Sequence, residues 1–214
     1  MDKARVLYML AGAIKDERLR GLVYKYLDRV LSSASSVCVS FDEAPGEIEE
    51  HHSYPGGLLD HTISVAHISV YIADLFKEVY GYDINRDLVL ACAILHDLYK
   101  VLEFKYNGVM VERCEQYYPH DARLSGEILV NEGLIELAKC ITELHGYYGY
   151  TSLESLVVGL SDILDAKFHS VIQSKIRNYL ARRGRADIRS FYEFVRSREW
   201  CKKGVIEEIM LTPP

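Results

Sequence analysis

A run of eight consecutive apolar residues, 88–95, is the feature that most constrains how this chain can fold. A helix that is apolar on every side has no face to turn toward water, so the run predicts a helix at the centre of a helical bundle. The run is far shorter than the roughly 20 apolar residues that a membrane span needs. We therefore expect no segment of the chain to cross a bilayer.

Apolar residues recur at helical spacing through most of the 214-residue chain. This periodicity is typical of an all-α protein. Glycine at position 81 predicts the end of a long helix, and Asn85 or Asp83 can cap the next one, which runs to about Tyr99. Thr151 and Glu154 have the spacing of a capping box. The predicted helices outside the central one cover residues 3–16, 18–32, 58–80, 120–131, 134–145, 151–170, 171–182 and 187–199.

The Asn107-Gly108 pair lies between two short runs that alternate apolar and polar residues. Such a pair is a strong hairpin signal, so we expect a small β-hairpin within residues 101–113. Residues 40–57 contain proline and glycine breakers and are predicted to be loop. The predicted fold is a single all-α bundle over residues 1–214 with one small hairpin. Its core covers about 50–170, preceded by a helix pair at 3–32 and followed by basic helices at 171–199.

The five cysteines lie at scattered positions without the close spacing of a zinc knuckle or a redox motif. We expect them to be reduced thiols. The first residues lack the basic and apolar stretches of a secretory signal. Together these features predict a cytoplasmic protein. The five cysteines are Cys38, Cys92, Cys114, Cys140 and Cys201.

Charge is unevenly distributed along the chain. The formal net charge is −6, yet residues 167–203 alone carry eleven Lys and Arg against three acidic residues. Arg182 and Arg183 lie at the centre of this basic segment. Two interpretations stay open, a solvated pair of helices and a surface that binds a phosphate-rich substrate.

An ionisable pair, His96-Asp97, directly follows the apolar run. Leaving such a pair in a buried position is costly unless something compensates its polarity. A metal ion would do so, because imidazole and carboxylate are suitable ligands for transition metals. His61 begins another apolar helix, His145 ends a third, and Asp162 lies within a fourth. Metal sites inside helical bundles are built from side chains placed in this way on facing helices.

Three segments in this order carry a family resemblance: Gly56-Gly57-Leu58-Leu59-Asp60-His61-Thr62, then Leu95-His96-Asp97-Leu98-Tyr99-Lys100, then Ser161-Asp162-Ile163-Leu164-Asp165-Ala166. They resemble the signature of the HD superfamily of metal-dependent phosphohydrolases, over residues 50–170. The HD domain of bacterial 3′-5′ exoribonucleases is the most similar branch, since His51-His52-Ser53-Tyr54 precedes the glycines here as a comparable segment does there.

The resemblance implies that His61, His96, Asp97 and Asp162 bind one metal ion. In members with two metals, further histidines contribute, and the candidates here are His120 and His145, with Asp97 bridging. Glu127 is an alternative to His120 at the second position, and Asp165 is expected to orient a ligand. Tyr99 stands where the family often has glycine, whereas the following lysine, at position 100, is retained.

The resemblance further implies one or two divalent transition metals per chain (Mn, Fe, Co, Ni or Zn) and a nucleotide or short nucleic acid as substrate. A metal lowers the pKa of bound water and so supplies hydroxide at neutral pH. Asp97, Lys100 and His52 are the candidate catalytic residues. Lys100, His51, His52, Arg182 and Arg183 are the candidate substrate contacts.

Two alternatives to a hydrolase remain open. Some HD-fold proteins use iron to activate oxygen, so a non-hydrolytic di-iron oxygenase is one of them. A nucleotide-binding regulatory protein is the other. Tyrosines predicted to lie in loops beside the site could stack a base, and these are Tyr117, Tyr118, Tyr147, Tyr148 and Tyr150.

Overall fold

The computed structural model of the chain describes residues 3–32, 38–48, 50–114, 119–144 and 149–213. These residues form nine α-helices and one β-hairpin, which confirms the predicted fold class. The helices are α1 (Lys3–Gly12), α2 (Glu17–Ser32), α3 (Gly57–Tyr80), α4 (Arg86–Leu95), α5 (His120–Glu132), α6 (Ile135–Glu143), α7 (Leu153–Ala181), α8 (Ile188–Ser197) and α9 (Lys203–Leu211).

Helix α4 is the centre of the bundle. Its last eight residues are all buried, and it contacts α1, α2, α3, α6 and α7. Asn85 caps it by accepting a hydrogen bond from the amide of Leu88 at 3.1 Å. The helix ends at Leu95, four residues earlier than predicted, and a 3-10 turn over Leu98–Leu102 follows. The chain therefore changes direction at the His-Asp pair, in the middle of the protein.

Helix α3 begins at Gly57, one residue before the predicted start, and it ends before Gly81 as the sequence predicted. Gly81 adopts a left-handed conformation, with φ of 73°, and donates its amide to the carbonyl of Lys77. At the other end Gly56 has φ of 84°, a conformation that glycine adopts without steric cost. The tight turn that results places His61 in the second turn of a buried helix.

The hairpin pairs β1 (Phe104–Tyr106) with β2 (Val111–Arg113) in antiparallel register. The side-chain oxygen of Asn107 accepts hydrogen bonds from the amides of Val109 and Met110 at 3.0 Å each. Asparagine thus closes the loop by bonding to backbone amides two and three residues further on. The predicted hairpin is confirmed.

The prediction of two helices over 151–182 was wrong, because α7 is continuous over 29 residues. Nothing in the sequence between 160 and 181 interrupts it, since that stretch has neither glycine nor proline. The prediction of a capping box formed by Thr151 and Glu154 was also wrong. Ser152 is the N-cap and accepts from the amide of Ser155 at 3.0 Å, whereas Glu154 accepts from the amide of Asn85 at 2.7 Å.

The C-terminal segment adds a helix that the sequence analysis missed, α9. Together with α8 it packs against the C-terminal half of α7. Phe191, Tyr192 and Ile209 are buried there with Phe104 of the hairpin and Tyr54 of the loop before α3. This second apolar cluster ties the end of the chain to the loop that precedes α3.

The prediction that all five cysteines are reduced thiols was wrong for four of them. Cys38 is joined to Cys114 and Cys92 to Cys140, with Cα–Cα distances of 6.5 and 6.3 Å. The partners are 76 and 48 residues apart in sequence, so local spacing could not reveal them. Cys201 is free and exposed. A cytoplasmic location stays a prediction.

None of the helices in the described ranges combines the length and the apolar character that a membrane span requires.

Candidate metal centre

Four polar side chains from three helices meet beside the end of α4. His61 comes from α3, His96 and Asp97 follow the last residue of α4, and Asp162 comes from α7. His61, His96 and Asp97 are at most 2% exposed. These residues are up to 101 positions apart in the sequence, and the packing of three helices brings them together.

The distances within this cluster suit one metal ion. Nε2 of His61 lies 3.1 Å from Oδ1 of Asp162, 3.4 Å from Oδ2 of Asp97 and 3.4 Å from Nε2 of His96. One ligand atom each from His61, His96 and Asp162 can be chosen so that all three lie within 4.8 Å of one another. Imidazole and carboxylate donors at such separations fit the coordination of a divalent transition metal.

Both histidines present the same nitrogen to the cluster. Nδ1 of His61 lies 2.7 Å from Oδ2 of Asp165, and Nδ1 of His96 lies 2.8 Å from the carbonyl of Ala93. Hydrogen bonds of this kind keep the proton on Nδ1 and leave the Nε2 lone pair free for a metal. The donor set therefore fits a metal ion, and Asp165 has the orienting position that the sequence predicted.

The two aspartates are ionised at neutral pH. Burial by itself would raise the pKa of Asp97, but Lys100 and His96 reverse this and hold it well below the usual value. For Asp162 burial likewise acts upward, and the neighbouring His61 lowers its pKa to about 2. Two buried carboxylates in their charged form are what a cation site requires.

Lys100 is buried beside Asp97 rather than at the protein surface. Its Nζ lies 2.9 Å from Oδ2 of Asp97 and donates to the carbonyl of Gly46 at 2.9 Å. Burial would lower the pKa of this lysine, but the Asp97 carboxylate raises it. Two of the three N–H donors of Lys100 therefore have partners inside the protein, which leaves one for the predicted contact with a phosphate oxygen.

The structure distinguishes the two candidates for a further ligand. Nε2 of His120 lies 2.9 Å from Oδ1 of Asp97, and its Nδ1 lies 3.0 Å from Glu103. Glu127 instead accepts hydrogen bonds from Tyr99 at 2.8 Å and from Arg29 at 2.7 Å. The geometry therefore favours His120 over Glu127. His145, the other candidate, lies outside the described residues.

The two histidines of the loop before α3 occupy different environments. The ring of His51 lies 5.0 Å from that of His61, and its buried Nδ1 has no hydrogen-bond partner among the described residues. Burial and the neighbouring His61 lower the pKa of His51 to about 3. His51 is thus a neutral imidazole beside the cluster, which agrees with a substrate contact.

His52 is fully buried, and both of its ring nitrogens have partners. Nε2 lies 2.7 Å from Asp165 and Nδ1 lies 3.1 Å from the hydroxyl of Tyr54. Burial lowers its pKa to about 4, and the hydrogen bond that its Nε2 donates to Asp165 acts in the opposite direction. Such a residue cannot reach a substrate, so its burial argues against the predicted roles in proton donation and substrate binding.

Arg182 and Arg183 lie far from the cluster. Arg182 follows the last residue of α7, twenty positions after Asp162, which is about 30 Å along a helix axis. Arg183 pairs with Glu208, and its guanidinium lies over the ring of Tyr179. A small substrate bound at the cluster would not reach either arginine.

Among the tyrosines predicted to border the site, only Tyr150 lies in the described residues. Its hydroxyl donates to the carbonyl of Leu144 at 3.2 Å. A Cβ at Gly159 would lie 2.6 Å from its ring, so the absence of a side chain there lets the ring pack on α7. Tyr117, Tyr118, Tyr147 and Tyr148 lie outside the described part of the chain.

Sequence reasoning missed Glu103 and the contact that Tyr54 makes in this region. Glu103 is 3% exposed and accepts from the backbone amide of His120 at 2.7 Å. Its position between Leu102 and Phe104, in an otherwise apolar stretch, was the available signal. Tyr54 was noted in the sequence, but nothing there indicated that its hydroxyl would contact His52.

An all-helical bundle that presents two histidines and two aspartates to one buried point defines the class of helical, metal-dependent hydrolases. The HD domain family matches residues 58–167, and the chain belongs to that family. It is a metal-dependent phosphohydrolase of the HD type, as the sequence motifs predicted.

Two kinds of characterised relative are similar to this chain. The "Dihydroneopterin 2′,3′-cyclic phosphate phosphodiesterase" of Methanocaldococcus jannaschii is 35% identical over 173 residues, which cover 77% of this chain and 70% of the relative. The "3′-5′ exoribonuclease YhaM" of Listeria monocytogenes is 26% identical over 154 residues, covering 68% of this chain and 44% of the relative. The Bacillus licheniformis exoribonuclease is 27% identical, covering 72% and 53%. No solved structure shows significant similarity to the chain.

Proposed function

We propose that this protein hydrolyses the phosphodiester of a small nucleotide-like compound, with a 2′,3′-cyclic phosphate as the first candidate. His61, His96, Asp97 and Asp162 would hold one divalent transition metal ion. His120 would contribute to a second, together with His145. The metal, when bound, supplies a Lewis acid that lowers the pKa of water and so makes hydroxide available near the phosphorus atom.

The observation that carries this proposal is the shared orientation of His61 and His96. The Nδ1–H group of each histidine donates a hydrogen bond to a fixed acceptor. Both Nε2 atoms therefore face the Asp97 and Asp162 carboxylates. A purely structural cluster would have no need to gather two imidazole nitrogens and two buried carboxylates around one point.

The chain's own residues supply the rest of the chemistry. Lys100 compensates the charge of Asp97 from the side opposite His120, and so keeps this carboxylate ionised in a buried position. His51 has an unpartnered ring nitrogen beside the cluster. From there it can donate or accept a hydrogen bond at a substrate oxygen.

Two observations favour a small substrate over RNA. The similarity to the cyclic phosphate phosphodiesterase is higher and covers 70% of that protein, whereas less than half of the Listeria exoribonucleases is covered. In addition, Arg182 and Arg183 lie about 30 Å from Asp162 along the axis of α7. A mononucleotide at the cluster would not reach these two arginines.

A substrate screen tests the proposal. The protein is loaded separately with Mn²⁺, Fe²⁺, Co²⁺, Ni²⁺ and Zn²⁺ and assayed with 2′,3′-cyclic nucleotides, dihydroneopterin 2′,3′-cyclic phosphate, phosphomonoesters and a short RNA. We expect cleavage of a cyclic phosphodiester that is lost in Asp97→Ala and kept in a surface variant, His67→Gln.

Other results of the screen would contradict the proposal. Preferred cleavage of RNA would support an exoribonuclease. Oxygen uptake by the iron-loaded protein without hydrolysis would support the oxygenase alternative, and nucleotide binding without turnover would support a regulatory protein.

A further inference from the structure

His52 is held in a backbone conformation that residues other than glycine rarely adopt, with φ of 49°. Its carbonyl accepts hydrogen bonds from the amides of Gly46 at 2.9 Å and Tyr54 at 2.8 Å. A Cβ at Gly57 would lie 2.0 Å from this carbonyl oxygen. The loop before α3 is thus built tightly around His52, and this fixes the position of its ring.

One carboxylate oxygen connects that ring to the metal cluster. Oδ2 of Asp165 lies 2.7 Å from Nδ1 of His61 and 2.7 Å from Nε2 of His52. A carboxylate only accepts hydrogen bonds, so both nitrogens must carry protons. The proton on Nδ1 of His61 leaves Nε2 as the nitrogen that can bind a metal.

The same assignment determines what His52 needs from Tyr54. With the proton on Nε2, the neutral ring of His52 accepts at Nδ1, and the Tyr54 hydroxyl lies there at 3.1 Å. The alternative acceptor for this hydroxyl is Asp60, at 3.2 Å. Tyr54 reaches Oδ2 of Asp60, whereas Oδ1 of the same carboxylate pairs with Lys3 at 2.5 Å and Arg198 at 3.2 Å. If the Tyr54 proton goes to His52, Asp60 keeps two cationic partners and Nδ1 of His52 gains a donor.

We propose that Tyr54 and His52 are positioning residues of the metal centre, which act through Asp165 to keep Nε2 of His61 directed at the metal. This inference rests on the proposed metal-dependent function. Both residues precede the matched family segment at 58–167. His52 and Tyr54 accordingly belong to the working part of the site, although neither is proposed to bind the metal or the substrate itself.

Binding of Co²⁺ tests the inference, because its affinity and visible absorption spectrum report the ligand geometry without any substrate. Tyr54→Phe removes one hydroxyl and keeps the ring. We expect it to weaken Co²⁺ binding about 2- to 10-fold, the usual range for one net hydrogen bond. His52→Ala should weaken it about 10- to 100-fold, as for other residues that orient a metal ligand.

His52→Gln provides a rescue within the same experiment. Its amide N–H can replace the donor to Asp165, so its Co²⁺ affinity should lie between those of wild type and His52→Ala. Tyr71→Phe and His67→Gln make the same chemical changes at exposed positions of α3, and both should bind Co²⁺ as wild type does. Circular dichroism of each apoprotein checks folding. If His52→Ala does not fold, the Co²⁺ affinity and spectrum of Tyr54→Phe provide the test instead.

Wild-type affinity and an unchanged Co²⁺ spectrum in both Tyr54→Phe and His52→Ala would overturn the inference. A changed spectrum with normal folding would support it, since a residue needed only for packing would not alter the metal's ligand field. Failure of the proposed hydrolysis is separable. A wild-type protein that binds Co²⁺ but cleaves no phosphoester refutes the function and leaves the comparison of variants valid.

Discussion

Nε2 of His120 lies 2.9 Å from Oδ1 of Asp97. The other oxygen of the same carboxylate faces His61 and His96 at 3.4 and 3.5 Å. Imidazole nitrogens thus lie near both carboxylate oxygens of Asp97. Carboxylates in this arrangement can serve two metal ions that together hold a phosphoryl group.

The first prediction concerns the number of metal ions. We expect wild-type protein to bind two per chain and His120→Ala to bind one, because the four residues around His61 remain intact. Metal content measured by elemental analysis against protein concentration provides the test. A single ion in the wild type would refute the dinuclear site and leave the mononuclear one standing.

The second prediction concerns Asp97 itself. Replacing it with alanine should abolish metal retention and hydrolysis together, because this carboxylate supplies negative charge to the whole cluster. Its loss would also leave Lys100 as an uncompensated buried cation. Asp74→Ala, on the exposed side of α3, is the matched control and should retain both properties. Wild-type turnover by the Asp97 variant would contradict the assignment.

The third prediction separates Glu127 from the metal ligands. Glu127→Gln weakens contacts with Arg29 and Tyr99 that are partly exposed, so it should cost about 1 kcal/mol of stability. That corresponds to a fall of about 2–4 °C in melting temperature for a chain of this size. Metal content should stay at the wild-type value. Loss of one metal ion would reinstate Glu127 as a ligand.

The fourth prediction uses two glycines. Gly57→Ala would place a Cβ 2.0 Å from the carbonyl oxygen of His52 and should destabilise the protein by at least about 2 kcal/mol. Gly126→Ala, within α5, meets nothing within 4 Å and should stabilise it by about 0.5–1 kcal/mol. Urea unfolding of the two variants gives both values. Equal midpoints would show that the loop adapts around His52.

The fifth prediction concerns the basic segment. The double variant Arg182→Ala with Arg183→Ala should turn over a small cyclic phosphodiester as wild type does, because both positions are about 30 Å from Asp162. If the segment binds RNA, the variant should weaken RNA binding and flatten its salt dependence by about 0.7 per lost contact on a logarithmic scale. Unchanged RNA binding at every salt concentration would make the segment an ordinary solvated surface.

Local signals accounted for most of the fold. The eight apolar residues before His96 required a buried helix, Gly81 ended α3, and Asn107 closed the hairpin, because each of these effects depends only on nearby residues. Predictions failed where a distant contact decided the outcome. Glu154 was expected to cap its own helix but accepts from the amide of Asn85. The cysteine pairs were missed for the same reason.

The sequence by itself determined the class of protein and the residue types of its metal cluster. Those features are carried by short motifs, whose order along the chain is independent of any distance in space. Only the tertiary structure decided what each polar residue does. It buried His52 behind Asp165, turned Lys100 toward Asp97, and placed Arg182 at the far end of α7. The physical reason is that a side chain's role depends on its solvent access and on its hydrogen-bond partners. Here those partners lie up to 113 residues away, and the packing of the helices selects them.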